Sequence, residues 1–135
     1  MSKSTATRAR PLSPHLQIYR FTPAMAMSIL HRITGGALYF GILLFAIWIA
    51  AAASSRETFD FVNGMFGSWL GRLVLFGLTW TLINHMLGGI RHLVWDTARG
   101  LEKHQASKMA VWSAVASIVL TLLVWVMGYA VRGAL

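Results

Sequence analysis

Three long apolar segments constrain this chain more than any other feature. They run over about residues 28–53, 69–95 and 111–131. A helix needs about 20 apolar residues to cross the roughly 30 Å hydrocarbon core of a bilayer, and each segment is long enough. The connections between them have fewer than about 20 residues, which favours antiparallel neighbours packed side by side. The sequence therefore predicts an all-α integral membrane protein with three transmembrane helices.

The composition excludes several classes of protein. Charged residues make up 12% of the chain and hydrophobic residues 56%, whereas an average soluble domain has about 25% charged residues. So little charge cannot cover the surface of a soluble monomer, and it also excludes a disordered chain and a nucleic-acid-binding domain, despite the net charge of +8. Because the sequence has no cysteine, a bound cofactor must be held by histidine, carboxylate or backbone groups.

The distribution of lysine and arginine predicts the orientation, because these residues gather in cytoplasmic loops. Seven lie before the first span or between the second and third: Lys3, Arg8, Arg10, Arg20, Arg99, Lys103 and Lys108. Three lie on the opposite side: Arg56, Arg72 and Arg132. We therefore expect residues 1–27 to form a cytoplasmic segment and residues 28–135 a three-helix transmembrane domain with its C-terminus outside. The expected location is a bacterial inner membrane, with the mitochondrial inner membrane as the alternative.

One histidine lies deep in the second span. His85 is about 10–15 Å from the cytoplasmic end of this helix, where an ionisable group is costly and is therefore a functional candidate. Gly88, Gly89 and His92 follow on the same face at i+3, i+4 and i+7. Two glycines leave room for a wide, flat group, and a neutral imidazole is an axial ligand of haem iron. The pattern fits a b-type haem, while close helix packing through small residues explains the glycines equally well.

Other basic residues are expected nearer the cytoplasmic edge, where cations can bond the haem carboxylates. These are His31, Arg32, Arg91 and His92. His85 and His92 are about 10 Å apart along the helix, so they cannot both bind one iron. A six-coordinate haem therefore needs its second ligand from another polypeptide.

Ser28 and Arg32 are four residues apart, which places them on one face of the first helix. A hydroxyl and a guanidinium at this spacing can converge on one carbonyl oxygen. The alternative is structural, with Ser28 as a helix cap and Arg32 reaching up to the lipid headgroups.

Two stretches carry a resemblance to a known family. The first combines residues 10–16 (RPLSPHL) with residues 28–35 (SILHRITG), and the second is residues 85–96 (HMLGGIRHLVWD). They resemble the cytochrome b subunits of succinate dehydrogenase (succinate:quinone oxidoreductase, complex II), which are small membrane anchors. The resemblance covers essentially the whole chain. It has one departure, because the family commonly has a glycine two residues past Asp96, where this chain has Ala98.

The resemblance implies roles for single residues. Ser28 and Arg32 fall on the ubiquinone-binding positions, and His85 falls on the axial ligand of haem b. His31, Arg32 and His92 fall near the haem propionates. A second membrane anchor subunit is implied to supply the other axial histidine and a tyrosine that contacts the quinone. An iron–sulfur subunit and a flavoprotein subunit are implied on the cytoplasmic face, so this chain alone is not an enzyme.

Two alternative functions stay open at this point. One is the anchor subunit of a fumarate reductase, which runs the same architecture in the quinol-oxidising direction. The other is a small non-redox membrane protein whose polar residues only pack helices. Asp96, at the predicted cytoplasmic edge, is either a proton-entry residue or the partner of Arg91 or Arg99 in a salt bridge.

Overall fold

The chain forms a bundle of four helices in a computed structural model, which describes residues 18–133. The helices are α1 Pro23–Ala52, α2 Arg56–Gly67, α3 Trp69–Asp96 and α4 Lys103–Val131. No strand occurs within the described range, and α1, α3 and α4 are long and apolar enough to cross a membrane. The prediction of an all-α membrane protein with three spans is therefore confirmed. The motif over residues 10–16 and the cations Lys3, Arg8 and Arg10 lie outside the described residues.

The ends of the spans differ from the predicted ones where capping and helix propensity extend them. α1 begins at Pro23, because the Thr22 side chain accepts a hydrogen bond from the Met25 amide at 3.4 Å and proline suits the first helical position. α4 begins at Lys103 rather than near residue 111, since the helix continues through polar residues beyond the apolar segment. Apolar length predicts the part of a helix inside the hydrocarbon, and the helix itself is longer.

The connection between α3 and α4 contains residue 98, where the chain departs from the family motif. Ala98 has a φ angle of 58°, in the left-handed region, and Gly100 has a φ of 71°. A left-handed conformation costs a residue with a Cβ atom about 1–2 kcal/mol, whereas glycine adopts it freely. The backbone at position 98 therefore favours the glycine that the family commonly has, and Ala98 adopts the same turn at a cost.

α2 was not predicted from the sequence. It has 12 residues, too few to cross a bilayer, and its apolar residues recur with helical periodicity rather than as a run. Phe59, Val62 and Phe66 are half-buried, while the rest of the helix is exposed. Ser55 caps it by accepting from the Thr58 amide at 3.1 Å. α2 is an amphipathic helix that packs against α1 and α3 at the end of the bundle where α1 stops.

α1, α3 and α4 pack against one another, and polar residues are numerous in their small core. The buried apolar residues of the described part are Met27, Ala51, Ile83 and Ala110. The buried polar residues are Thr34, Thr81, Asn84, Arg91, Ser117 and Thr121. Most large apolar side chains are exposed. Small and polar residues at helix contacts, with apolar side chains outside, are typical of a bundle that faces lipid and other membrane chains.

The bundle has two distinct ends. We call the end formed by the start of α1, the end of α3 and the start of α4 the basic end, since most of the cations lie there. The opposite end is formed by the end of α1, by α2, by the start of α3 and by the end of α4.

Candidate functional site

The imidazole of His85 is fixed by the backbone of α1. Its Nδ1 atom is 3.1 Å from the carbonyl oxygen of His31 and 3.3 Å from Oγ1 of Thr34. A carbonyl oxygen only accepts hydrogen bonds, and the Thr34 hydroxyl donates its own proton to the Leu30 carbonyl at 2.9 Å. Both groups therefore accept from Nδ1, which places the proton on Nδ1 and leaves a lone pair on Nε2.

The Nε2 atom of His85 is free to bind a ligand. Over residues 18–133 no hydrogen bond uses this atom, and it is not one of the buried unpartnered polar atoms. It therefore reaches the outer surface of the bundle. A histidine whose Nδ1–H bonds a backbone carbonyl has its tautomer and ring orientation fixed, which is how metal-ligating histidines are commonly held.

The side chain of His31 stacks on the ring of His85. The two ring centroids are 4.0 Å apart and the ring planes differ by 8°. Two glycines make this contact possible. A Cβ atom at Gly88 would overlap Cδ2 of His31, and one at Gly35 would lie 3.1 Å from Cε1 of His85. Two imidazole rings therefore pack between α1 and α3: His31 of α1 contacts Gly88 of α3, and His85 of α3 contacts Gly35 of α1.

Two further ring contacts, one tilted and one edge-to-face, follow towards the basic end. The His92 ring is 5.4 Å from that of His31 and 5.0 Å from that of Trp95, centroid to centroid. The ring of His31 lies between those of His85 and His92 and is nearer that of His85, at 4.0 Å against 5.4 Å. The three histidine rings lie beside one another and do not converge. In the described part of the chain no group of three His, Asp or Glu side chains is placed to hold a metal ion.

Gly89, one of the two glycines singled out beside His85, is open, and so is Gly36. A Cβ atom at Gly89 or at Gly36 would meet no other atom within 4 Å. Gly89 lies one turn from His85 on α3, on the side towards the basic end. The two adjacent glycines therefore differ, because the His31 ring packs on Gly88 and Gly89 faces open space. The surface is therefore open at Gly89, one turn from His85.

Ser28 and Arg32 lie one turn apart on α1 at the basic end. Ser28 is half-buried and Arg32 is exposed, and neither side chain makes a hydrogen bond to another of the described residues. Thr22, and not Ser28, caps α1, so the alternative interpretation of Ser28 as a helix cap is wrong. The hydroxyl and the guanidinium are both available to a ligand or to lipid.

Arg91, which we expected near the cytoplasmic edge, has its side chain buried inside the bundle. Its residue is 3% exposed, and its Nη1 donates to Oγ of Ser113 at 3.1 Å. Its guanidinium carbon lies 5.3 Å from the centre of the Trp95 ring. The atoms Nε and Nη2 have no partner among the described residues. The helical period places Arg91 on the side of α3 that faces α4, so a basic residue near a helix end is buried by its neighbour.

The expected salt bridge of Asp96 is absent. Within residues 18–133 the one ion pair joins Arg56 and Asp60, at 3.3 Å. Asp96 is exposed at the end of α3 and has no arginine within ion-pair distance. An exposed carboxylate gains little from such a pair in water.

Replacing Gly88 by alanine is expected to destabilise the bundle by about 1–3 kcal/mol, the usual cost of inserting a methyl group into a packed contact. The new Cβ would displace the His31 ring, which is held between Gly88 and His85. Thermal unfolding of the purified protein in detergent measures the change. Gly77→Ala is the matched control, because a Cβ at Gly77 meets nothing within 4 Å. Equal stability of the two variants would contradict the packing described here.

Comparison with known proteins gives a family and several relatives. The family described as succinate dehydrogenase/fumarate reductase transmembrane subunit matches residues 6–124. The succinate dehydrogenase cytochrome b556 subunit of Paracoccus denitrificans is 44% identical over 119 residues, which are 86% of this chain and 92% of the relative. The cytochrome b556 subunit of Rickettsia felis is 33% identical over 125 residues, 93% of this chain and 98% of that protein. The mitochondrial cytochrome b560 subunit of Bos taurus is 43% identical over 124 residues, 90% of this chain and 70% of that protein.

Proposed function

The chain belongs to the succinate dehydrogenase/fumarate reductase transmembrane subunit family, and we propose that it is the cytochrome b subunit that anchors a succinate:quinone oxidoreductase in the membrane. The relatives described above are named as succinate dehydrogenase cytochrome b subunits, which favours succinate oxidation over the fumarate reductase direction. The chain matches them over 86–93% of its length.

The observation that carries the proposal is the arrangement of His85. Its Nδ1 donates to the His31 carbonyl at 3.1 Å, and its Nε2 lone pair points out of the bundle beside open glycine surface. The bond at Nδ1 alone satisfies helix packing, and it leaves Nε2 available for a ligand. We propose that Nε2 of His85 is an axial ligand of haem b. A second anchor subunit would supply the other histidine ligand, because no other histidine among residues 18–133 is placed to reach the same iron.

Haem b, when bound, supplies a one-electron redox centre in the membrane. The protein residues hold and tune it. The hydrogen bond from Nδ1 to a backbone carbonyl makes the imidazole a stronger ligand and keeps its ring from rotating. We propose that His31, Arg32 and His92 lie towards the haem propionates, since all three lie on the basic-end side of His85.

The quinone site is proposed at Ser28 and Arg32. Reduction of ubiquinone takes two electrons and two protons, and negative charge develops on the ring oxygens during the reaction. The Ser28 hydroxyl can donate a hydrogen bond to one quinone carbonyl. The Arg32 guanidinium keeps its positive charge and stabilises the developing negative charge. Both side chains are free of other hydrogen bonds within residues 18–133, so binding a quinone breaks no bond in that range.

The partners follow from this function. Succinate is oxidised on a flavoprotein subunit, and its electrons reach the quinone through an iron–sulfur subunit. We propose that these two subunits dock at the basic end, near Ser28 and Arg32, and that the second anchor subunit covers the face of α1 and α3 that holds His85. This chain contributes one wall of the quinone site and has no activity alone.

We propose that the basic end faces the cytoplasm of a bacterium, from the excess of lysine and arginine there. A reporter fused at Leu101, in the connection between α3 and α4, should be cytoplasmic, and one fused after Leu135 should be outside. Matching accessibilities at the two sites would contradict the three-span topology.

Purification of the tagged chain from its native membrane tests the proposed function. A flavoprotein, an iron–sulfur protein and a second small membrane protein should copurify in equal amounts, and the preparation should reduce ubiquinone with succinate. Isolation of the chain without redox partners would support the non-redox alternative and contradict the proposal.

A further inference from the structure

Two adjoining cavities lie at the opposite end of the bundle, away from His85, Ser28 and Arg32. The first has a volume of about 420 Å³ and lies between α2, α3 and α4. The second, of about 500 Å³, lies between α1, α2 and α3. They share Asn63, Phe66, Leu75 and Thr79 in their walls. The two cavities therefore meet beneath α2, and neither belongs to the proposed haem and quinone site.

The first cavity carries two arginines, Arg72 from the start of α3 and Arg132 from the end of α4. Nε of Arg72 donates to the Gly67 carbonyl at 2.7 Å, which holds the side chain and leaves its two terminal nitrogens for another acceptor. Neither arginine pairs with a carboxylate of the described residues, where the one ion pair uses Arg56. Two cations thus line one cavity with no carboxylate of residues 18–133 paired to them.

The position of these arginines is not explained by membrane orientation. Cations are few on the predicted outer side: Arg56, Arg72 and Arg132. Arg56 is paired with Asp60, and the other two both line the same cavity. Two arginines in one cavity favour the binding of a ligand with negative charge.

The second cavity is almost wholly apolar. Its walls include Ile42, Phe45, Leu78 and Leu82, and it opens from the charged cavity along Leu75. In the first cavity Gly128 also leaves free space, since a Cβ atom there would meet nothing within 4 Å. The combined space is lined by charged side chains at one end and by apolar side chains along the rest. A lipid has the matching arrangement of a charged headgroup and apolar acyl chains.

We propose that these two cavities bind one phospholipid of the surrounding membrane. Its phosphate lies between Arg72 and Arg132, and an acyl chain enters the apolar cavity beneath α2. A guanidinium binds phosphate through paired, charge-assisted hydrogen bonds. The lipid would fill the gap that the described residues leave between α2, α3 and α4, and would hold α2 in place.

Native mass spectrometry of the purified complex in detergent tests this site with two probes. Dioleoylphosphatidylglycerol carries the phosphate, and dioleoylglycerol has the same chains without it. The wild-type complex is expected to bind one phosphatidylglycerol and no dioleoylglycerol. The double variant R72Q/R132Q should bind it at least about tenfold more weakly, since each charge-assisted hydrogen bond is worth about that factor or more. Arg56→Gln is the matched control and should bind as the wild type does.

A second variant tests the site through shape. Gly128→Leu fills free space in the first cavity without changing charge, and it should weaken binding of the same lipid. Gly77→Leu is its control, because position 77 is outside both cavities and is also open. Unchanged binding in R72Q/R132Q or in Gly128→Leu would overturn the proposal. Equal loss in Arg56→Gln, or binding of dioleoylglycerol as tight as that of phosphatidylglycerol, would overturn it as well.

Discussion

Replacing His85 by leucine is expected to abolish the low-spin haem spectrum of the purified complex. Leucine removes the Nε2 lone pair, which the hydrogen bond at Nδ1 orients. Loss of one axial ligand leaves the iron with the single histidine of the partner, so the haem is lost or becomes high-spin. Reduced-minus-oxidised absorption spectra, with haem content measured per complex, give the result.

The neighbouring histidines provide the controls. His31→Leu keeps the hydrogen bond at Nδ1 of His85, because the acceptor is the backbone carbonyl of His31 and not its side chain. His92→Leu removes a more exposed ring nearer the basic end. Both variants are expected to retain a low-spin haem, with shifts in its potential. An unchanged spectrum in His85→Leu, together with its loss in either control, would show that the ligand has been assigned wrongly.

Replacing Arg32 by leucine is expected to lower succinate–quinone reductase activity by about 10²-fold or more. Loss of one preorganised hydrogen bond to developing charge costs about 10²–10³ in rate at a dry site. Ser28→Ala should cost less, because the position lies near the membrane edge, where water can replace a hydroxyl. Arg32→Lys should recover part of the activity, since an ammonium lacks the planar set of donors of a guanidinium.

Two controls separate a quinone site from general damage. Oxidation of succinate with a soluble acceptor that takes electrons upstream of the quinone should continue in all of these variants. Arg99→Leu removes another exposed arginine at the basic end and should leave quinone reduction unchanged. Wild-type rates of quinone reduction in both Ser28→Ala and Arg32→Leu would remove these residues from the site.

The parts of the fold that follow from apolar length were predictable from the sequence. A span must keep about 20 residues in hydrocarbon, so the three transmembrane helices were found near their observed places. α2 was not predicted, because a short amphipathic helix is stabilised by its contacts with α1 and α3 and has no long apolar run that marks it in the sequence. The left-handed turn at Ala98 was not predicted either, because alanine rarely adopts this conformation and so does not indicate it in a sequence.

The candidate site was predictable in its residues but not in its contacts. Depth in α3 and spacing to two glycines singled out His85. That His31 stacks on His85, and that its carbonyl accepts the Nδ1 proton, depends on how α1 crosses α3. Thr34 was visible as one of few polar groups in an apolar run, but its role beside His85 was not. Arg91 shows the same limit, since only packing against α4 decides that this charged residue is buried.

A density map of the purified complex, at a resolution that separates side chains, tests the central claim most directly. The account predicts a haem whose iron is bonded to Nε2 of His85 and, on the other side, to a histidine of the second anchor subunit. Nδ1 of His85 should still lie within hydrogen-bond distance of the His31 carbonyl. A haem bonded instead to His31 or His92, or a complex with no haem against the α1–α3 face, would contradict it.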